Sequence, residues 1–168
     1  MKRINLPVDE DTISRLRCFD QILISGTIFC GRDAVLPKII ERIDKGDEEL
    51  LKMIGGGLIF HTAVSVAGVG PTSSNKLEIE SSIVPLSKYG IKIHLGKGRL
   101  SKETINGLDK YNSIYCVIPP VTALLNDKIV EKELIAFPEL GMEAFYRLKI
   151  NDYPAIVAIA HGESIYEK

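Results

Sequence analysis

An apolar strand pattern changes to a helical pattern early in the chain. Residues 21–29 are mostly apolar and β-branched, which is typical of a strand. The apolar side chains at 36, 39, 40 and 43 then fall on one face of a helix, with Pro37 in its first turn and Gly46 suited to its end. This order predicts a strand and a helix joined by a turn at residues 30–34.

The rest of the chain continues this mixture of short strands and helices. Further strands are predicted at residues 58–67, 90–95, 113–118, 129–136, 144–150 and 155–160. Two more helices are predicted, one capped by Ser81 or Ser82 with Pro85 in its first turn, and one capped by Ser101. Because the last third is rich in strands, residues 1–168 predict a single α/β domain with a mixed sheet or two sheet layers.

Size and charge narrow the class of protein. The 168 residues are 45% hydrophobic and 26% charged, which is typical of a folded globular protein. A net charge of -1 argues against a general nucleic-acid binder. No apolar run reaches the roughly 18 residues of a membrane span, and the start turns acidic too early for a signal peptide. A cytoplasmic location is therefore expected.

The cysteines do not form a recognisable motif. Cys18, Cys30 and Cys116 are widely spaced and include no C-x-x-C pair. An odd number of cysteines in a chain with this much apolar sequence argues against a disulfide framework. Three thiols are enough to ligate an iron–sulfur cluster, but their spacing does not favour one. Buried or half-buried thiols are the simpler interpretation.

Three glycine-containing loops carry groups that suit a small anion. The loops are residues 30–34, 68–76 and 95–99. They supply Arg32, Lys76 and Lys97 as cations and Thr72 as a hydroxyl. Glycine lets the backbone approach a ligand closely, and strand-to-helix turns often hold binding groups in α/β proteins. The set predicts a site for a small dicarboxylate, although each loop is also compatible with a plain surface turn.

Other chemistries receive little support. Asn75 stands where a phosphate-binding loop needs a glycine before its lysine, so nucleotide binding is disfavoured. The histidines at 61, 94 and 161 are scattered, which makes a metal site improbable. There is no Ser–His–Asp spacing and no H-E-x-x-H motif. His61 ends an apolar strand and is interpreted as a core residue or as support for a neighbouring group.

Five motifs, in their order along the chain, resemble one enzyme family. They are Ser-Gly-Thr-Ile at 25–28 with Gly-Arg-Asp-Ala at 31–34, Gly-Pro-Thr-Ser-Ser at 70–74, Gly-Lys-Gly at 96–98, Phe-Pro-Glu-Leu-Gly-Met-Glu-Ala at 137–144 and Tyr-Pro-Ala-Ile-Val at 153–157. The family is the β subunit, or C-terminal domain, of class I fumarases and L-tartrate dehydratases. The resemblance covers residues 6–166.

The resemblance implies a swivelling β/β/α domain that is one part of a hydro-lyase. In this family an oxygen-sensitive [4Fe–4S] cluster is held by a separate α subunit or N-terminal domain. This chain would then bind no cofactor itself and be active only with an α subunit, in an expected α2β2 assembly. The implied reaction is reversible hydration of fumarate to L-malate. The alternative is dehydration of L-tartrate to oxaloacetate.

The resemblance also implies roles for the loop residues. Arg32, Lys76 and Lys97 would bind the substrate carboxylates, and Thr72 would lie at the carbon that gains or loses a proton. A threonine hydroxyl is not ionised near neutral pH, so it would need a carboxylate from the partner beside it.

Three positions depart from the family pattern. Lys76 stands where the family usually has arginine, Cys30 where it has threonine, and Leu36 where it has histidine. Lysine keeps the charge but loses the paired hydrogen bonds that an arginine makes to a carboxylate. This difference bears on the identity of the acid more than on the reaction.

Two rival hypotheses differ from an enzyme subunit. One makes the chain a stand-alone anion-binding or regulatory domain without catalysis, which would have no partner and no turnover. The other treats all three glycine loops as turns. It predicts that the cations at 32, 76 and 97 point apart in the fold.

Overall fold

Parallel strands form the centre of the fold, and one long antiparallel strand closes them into a ring. The computed structural model describes residues 1–65, 68–69, 76–118 and 128–167. Its strands are β1 (Lys2–Asn5), β2 (Gln21–Cys30), β3 (Leu58–Phe60), β4 (Val64–Ser65), β5 (Gly68–Val69), β6 (Ile93–Gly96), β7 (Ile114–Val117), β8 (Ile129–Ala136), β9 (Phe145–Ala160) and β10 (Glu163–Ser164). Its helices are α1 (Glu10–Ser14), α2 (Leu36–Asp44), α3 (Glu48–Ile54), α4 (Lys76–Lys88) and α5 (Lys102–Lys110), with a 3₁₀ turn at Pro138–Glu143.

Strand pairing closes the ring. β2, β3, β6 and β7 are parallel neighbours in that order. β9 is antiparallel to both β7 and β2 and so joins the two ends. β1 extends the sheet beside β2, and β8 and β10 extend it beside β9. Closure pairs the strands of the ring with one another and encloses an apolar interior.

The interior of the ring is built in layers from successive strands. Cys30, Phe60, Leu95 and Cys116 are register partners on the four parallel strands and are all buried in this core. Tyr153 from β9 packs edge-on against Phe60, with ring centroids 6.1 Å apart. Strand side chains alternate between faces, so the neighbouring residues in sequence face outward.

The cysteines are packing residues in this structure. Cys30 and Cys116 are buried, Cys18 is half-buried, and all three are unpaired. This confirms the interpretation of the cysteines as buried or half-buried thiols.

Helices cover the outer face of the ring. Phe29 and Phe145 stack with ring centroids 5.5 Å apart, and Leu36 and Ile39 of α2 pack in the same apolar cluster. α4 and α5 pack against β7 through a second outer cluster that contains Tyr115. The predicted α/β class with a mixed sheet is confirmed, with the addition that the sheet closes on itself. The swivelling β/β/α assignment stays a prediction.

The apolar run at 58–67 was predicted as one strand, and this prediction is wrong. β3 ends at Phe60, and β4 and β5 form a separate antiparallel pair. The N–H of Thr62 donates to the carbonyl of Phe60 at 2.9 Å, which is a tight turn out of the sheet. Buried apolar turns and buried strands have the same hydrophobicity, so the sequence pattern could not separate them.

The helix before Gly90 is longer than predicted. It begins at Lys76, so Ser81 and Ser82 are not its caps and Pro85 lies in its interior. An interior proline removes a helical hydrogen bond, which is usually unfavourable. Here Ile83 and Leu86 flank the proline and are fully buried, so tertiary packing stabilises this turn of the helix.

The two strands predicted at 144–150 and 155–160 are one continuous strand, β9. Asp152 lies between them with a φ of 50°, a left-handed conformation that residues other than glycine rarely adopt. Its N–H donates to Ser25 Oγ on β2 at 2.9 Å, which keeps the strand attached there. The strands predicted at 21–29, 113–118 and 129–136 and the helix capped by Ser101 are confirmed.

Among the helices of the described residues, none has the length and apolar character that a membrane span requires.

Candidate functional site

The carboxyl ends of the parallel strands meet at one edge of the ring. Cys30, Phe60 and Leu95 are register partners near the ends of β2, β3 and β6. Two further hydrogen bonds extend the pairing beyond the strands, from Gly31 N to Phe60 O at 3.2 Å and from His61 N to Leu95 O at 2.9 Å. In open α/β folds this edge is where ligands bind. We refer to it as the carboxyl edge.

Arg32 lies at the carboxyl edge, in the turn between β2 and α2. Its Nε donates to both carboxylate oxygens of Glu143, at 2.7 and 2.9 Å, and its Nη2 also donates to this carboxylate. The two side chains are only 18% and 24% exposed. These hydrogen bonds raise the pKa of the Arg32 guanidinium, which therefore stays charged. Asp33 is a weaker neighbour, 3.9 Å from Arg32 Nε.

Gly31 lets this turn pack tightly. A Cβ at this position would lie 2.7 Å from Val35 Cγ1 and 3.1 Å from Leu36 Cδ2, closer than side-chain atoms normally approach. The glycine therefore allows the backbone before Arg32 to lie directly against the start of α2.

Lys97 lies at the same edge, immediately after β6, and is exposed. Gly98 follows with a φ of 87°, a conformation that favours glycine. A Cβ on the preceding Gly96 would lie 3.0 Å from Tyr115 Oη. The two glycines thus fix a sharp, closely packed turn that presents Lys97 at the end of the strand.

The other two predicted site residues are Thr72 and Lys76. Thr72 lies outside the described residues. Lys76 is the first residue of α4, and only its backbone is described. α4 ends near the amino ends of the strands, where Gly56 N donates to Gly90 O, so its first turns lie toward the carboxyl edge. In agreement, the carboxylate of Glu80 accepts a hydrogen bond from the N–H of Ser101, just beyond the Lys97 turn.

The structure therefore brings Arg32, Lys97 and the start of α4 to one edge of the ring. The binding roles of the side chains stay predictions. The sequence does not predict Glu143 as a site residue, because it lies 111 residues from Arg32 in the chain and no local pattern connects them.

A buried polar chain runs behind this edge. His61 Nε2 lies 2.9 Å from His94 Nδ1, and His94 Nε2 lies 2.9 Å from Ser87 Oγ on α4. His61 and His94 are 4% and 0% exposed. Burial lowers the pKa of His61 to about 3, and burial together with His61 lowers the pKa of His94 well below its usual value. Both rings are therefore neutral near pH 7.

The sequence predicts His61 as a core residue or as support for a neighbouring group, but it does not predict the hydrogen bond between His61 and His94. A histidine within the buried run 91–95 was the available signal, because a polar ring in an apolar strand requires a partner. The register that places β6 beside β3 supplies that partner.

The described thiols do not fit an iron–sulfur cluster. Burial raises the pKa values of Cys30 and Cys116, which disfavours the thiolate form that a metal needs. Over residues 1–65, 68–69, 76–118 and 128–167, no group of three or more His, Cys, Asp or Glu side chains is placed to hold a metal ion.

A cavity of about 540 Å³ lies at the opposite, amino edge of the strands, and two lysines line it. Lys92 pairs with Glu10 at 2.5 Å and donates to Tyr111 O at 2.9 Å, whereas Lys88 is exposed. The cavity lining includes neither Arg32 nor Lys97, which lie at the carboxyl edge.

Comparison with known proteins points to one family. The family described as Fumarase C-terminus matches residues 1–168. The chain is 28% identical to the L(+)-tartrate dehydratase subunit beta of Escherichia coli (strain K12), and the match covers 98% of the chain and 87% of the relative. It is 29% identical to the anaerobic class I fumarate hydratase of the same organism and 28% identical to fumarate hydratase 2 of Leishmania major. Those matches cover 93% and 96% of the chain, which spans only 30% of the length of each fumarate hydratase.

Proposed function

The chain belongs to the fumarase C-terminus family, and we propose that it is the β subunit of a hydro-lyase acting on a small dicarboxylate. The proposed reaction is the reversible addition of water to fumarate, which gives L-malate. The observation that supports the proposal is that Arg32 and Lys97 both follow parallel strands at the carboxyl edge of a chain that matches this family along its whole length.

L-tartrate is the second candidate substrate. The chain matches most of a separate tartrate dehydratase β subunit but under a third of each fumarate hydratase. This difference favours an enzyme made of separate subunits and keeps L-tartrate as an alternative. Lys76, where the family usually has arginine, is the residue in the proposed site that best accounts for a change of acid.

The remaining machinery is proposed to lie in an α subunit. That subunit would hold the [4Fe–4S] cluster, which supplies Lewis-acid chemistry when present. The fumarate hydratases that extend well beyond this chain's match support such a division. An α2β2 assembly is the stoichiometry to test.

Arg32 and Lys97 are proposed to bind opposite carboxylates of the acid. They follow β2 and β6, which are separated by β3, so their backbones are roughly 10 Å apart if each strand step is about 4.8 Å. Two long cationic side chains can close this distance around a four-carbon diacid. Glu143 would hold the guanidinium in one orientation, so that less side-chain entropy is lost on binding.

Thr72 is proposed to handle the proton at the reacting carbon. Its hydroxyl would transfer a proton to or from that carbon while a neighbouring carboxylate of the α subunit exchanges the hydroxyl proton. Lys76, four residues on, would hold the acid close to this hydroxyl.

Turnover under anaerobic conditions tests the proposal. This chain is assayed alone and mixed with the α subunit from its own genome, with fumarate and L-tartrate in parallel. We expect turnover only in the mixture, and the faster acid identifies the substrate. A mixture with an intact cluster that turns over neither acid would overturn the proposal and favour a non-catalytic anion-binding domain.

A further inference from the structure

A buried chain of hydrogen bonds, formed by Ser87, His94 and His61, joins three parts of the fold that lead to the proposed site: α4, β6 and the segment after β3. Ser87 belongs to α4, which begins with Lys76, and His94 belongs to β6, which runs directly into Lys97. His61 follows β3 and precedes the segment that contains Thr72. The hydrogen bonds run from Ser87, near the amino ends of the strands, through His94 to His61 at the carboxyl edge, and they fix the relative positions of these elements.

The His61 end of this chain of hydrogen bonds has no hydrogen-bond partner among the described residues. Among the described residues, His61 Nδ1 is buried and makes no hydrogen bond. Such an atom is rare in folded proteins, because a buried polar group without a partner loses its hydrogen bonds to water and gains none in return. An unsatisfied atom beside a proposed ligand site suggests a partner that arrives with the ligand.

The neutral rings allow two arrangements of protons. In one, Ser87 donates to His94, His94 Nδ1–H donates to His61 Nε2, and His61 Nδ1 carries a proton. In the other, all directions reverse and His61 Nδ1 presents a lone pair. The first arrangement offers an N–H donor, which suits an edge that gathers cations and binds an acid.

We propose that His61 is a positioning residue of the dicarboxylate site and that its Nδ1–H makes its missing hydrogen bond, to an oxygen acceptor, when the acid is bound. The acceptor is a carboxylate oxygen of the acid. This inference rests on the proposed function. It explains why two histidines and a serine occupy a region that apolar side chains would otherwise fill.

Two substitutions separate the two nitrogens of His61. His61→Gln keeps a polar group near the Nε2 position and removes Nδ1, whereas His61→Asn keeps a polar group near Nδ1 and breaks the contact with His94. His161→Asn is the matched control, because His161 lies elsewhere and contacts the carbonyl of Leu16 at 2.9 Å. Each variant is mixed with the α subunit, and kcat, KM and Tm are measured.

We expect His61→Gln to raise KM about tenfold, the effect of losing a single hydrogen bond, while Tm stays close to that of the wild type. His61→Asn should lower Tm and keep KM closer to the wild-type value. If His61 has only a packing role, His61→Gln leaves KM unchanged, and that result overturns the inference while the proposed function stands. A wild-type mixture without turnover would instead overturn the proposed function and this inference with it.

Nitrogen-15 NMR of histidine-labelled chain in the complex gives a second measurement that does not depend on a variant folding. The chain has three histidines, so the ring signals can be assigned by substitution. Addition of the turned-over acid should shift the His61 Nδ1 signal and leave the His161 signals in place. A His61 signal that does not move at saturating acid contradicts the inference.

Discussion

At the scale of single residues, Arg32 shows how a half-buried cation is prepared for binding. A guanidinium with 18% exposure needs a fixed counter-charge, and Glu143 supplies it through hydrogen bonds from Nε and Nη2. The pair sets the direction of the side chain before any ligand arrives. Gly31 and the start of α2 fix the backbone on which it stands.

Arg32→Ala should weaken binding of the acid by on the order of 2–5 kcal/mol, because it removes a buried charge and leaves Glu143 unpaired. Glu143→Gln should have a smaller effect in the same direction, since the arginine remains but is held less firmly. Steady-state kinetics of the mixed enzyme measures both effects as changes in kcat/KM. Arg15→Ala is the control, because Arg15 is exposed and pairs with Asp11 one helical turn away. Near-normal kcat/KM in Arg32→Ala would remove Arg32 from the site.

Thr72→Ala should abolish turnover while leaving Tm unchanged, because only the hydroxyl is proposed to take part in the chemistry. Thr72→Ser keeps a hydroxyl and should restore much of the activity. Single-turnover assays with the α subunit distinguish a lost chemical step from lost binding. If the alanine variant turned over at the wild-type rate, the proton-handling role of Thr72 would be untenable.

At the scale of elements, caps and packing decide where the helices begin. α5 begins after Ser101, whose Oγ accepts from the N–H of Thr104 at 3.3 Å, as the sequence predicted. α4 begins before its predicted caps, Ser81 or Ser82, and continues through Pro85. The buried side chains of Ile83 and Leu86, on either side of the proline, pack the helix against the ring. The sequence predicts the hydrogen bond that caps a helix, because it joins residues close together in the chain. It does not predict stabilisation by tertiary packing, which joins distant residues.

Ser101→Ala should lower the free energy of unfolding by about 1 kcal/mol, since it removes the hydrogen bond that caps α5. Urea denaturation followed by circular dichroism measures the change. Ser101→Asp preserves a capping oxygen and should remain within a few tenths of a kcal/mol of the wild type. Equal losses in both variants would mean that packing, rather than the cap, sets the start of this helix.

At the scale of the whole molecule, closure of the ring by β9 creates both the core and the carboxyl edge. β9 pairs with β2 and with β7, so the last third of the chain holds the parallel strands in register. The 3₁₀ turn at Pro138–Glu143, just before β9, also places Glu143 within hydrogen-bond distance of Arg32. The buried histidine chain depends on the same register, because β3 and β6 must be neighbours for the rings to meet.

Stability should fall as the pH drops below about 6.5. The pKa values of His61 and His94 are lowered from the usual 6.5, that of His61 to about 3, so the unfolded chain binds more protons than the folded chain between these values. The stabilisation is complete above pH 6.5 and is lost on acidification by up to about 1.4 kcal/mol per pH unit for each histidine.

Urea denaturation at pH 7, 6 and 5 measures this slope. Some carboxyl groups, such as those of Glu10 and Asp20, have pKa values lowered from the usual 4.5 and 3.8. Their effect on stability therefore appears at lower pH than that of the histidines. His161→Asn should retain the slope, and the double variant His61→Gln/His94→Asn should lose most of it. A wild-type chain equally stable at pH 7 and pH 5 would refute the neutral, buried state of the two rings.

The sequence alone determined the order of strands and helices in most of the chain, the N-terminal cap of α5 at Ser101, the buried or half-buried state of the thiols, and the family. These features rest on periodicity, capping and short motifs, which act over a few residues. The tertiary structure alone decided that β9 is one strand, that residues 58–65 turn out of the sheet after Phe60, and that Arg32 pairs with Glu143 and His61 with His94. Those partners are 111 and 33 residues apart, and only the closure and register of the ring bring them together, because no local pattern encodes a contact between distant strands.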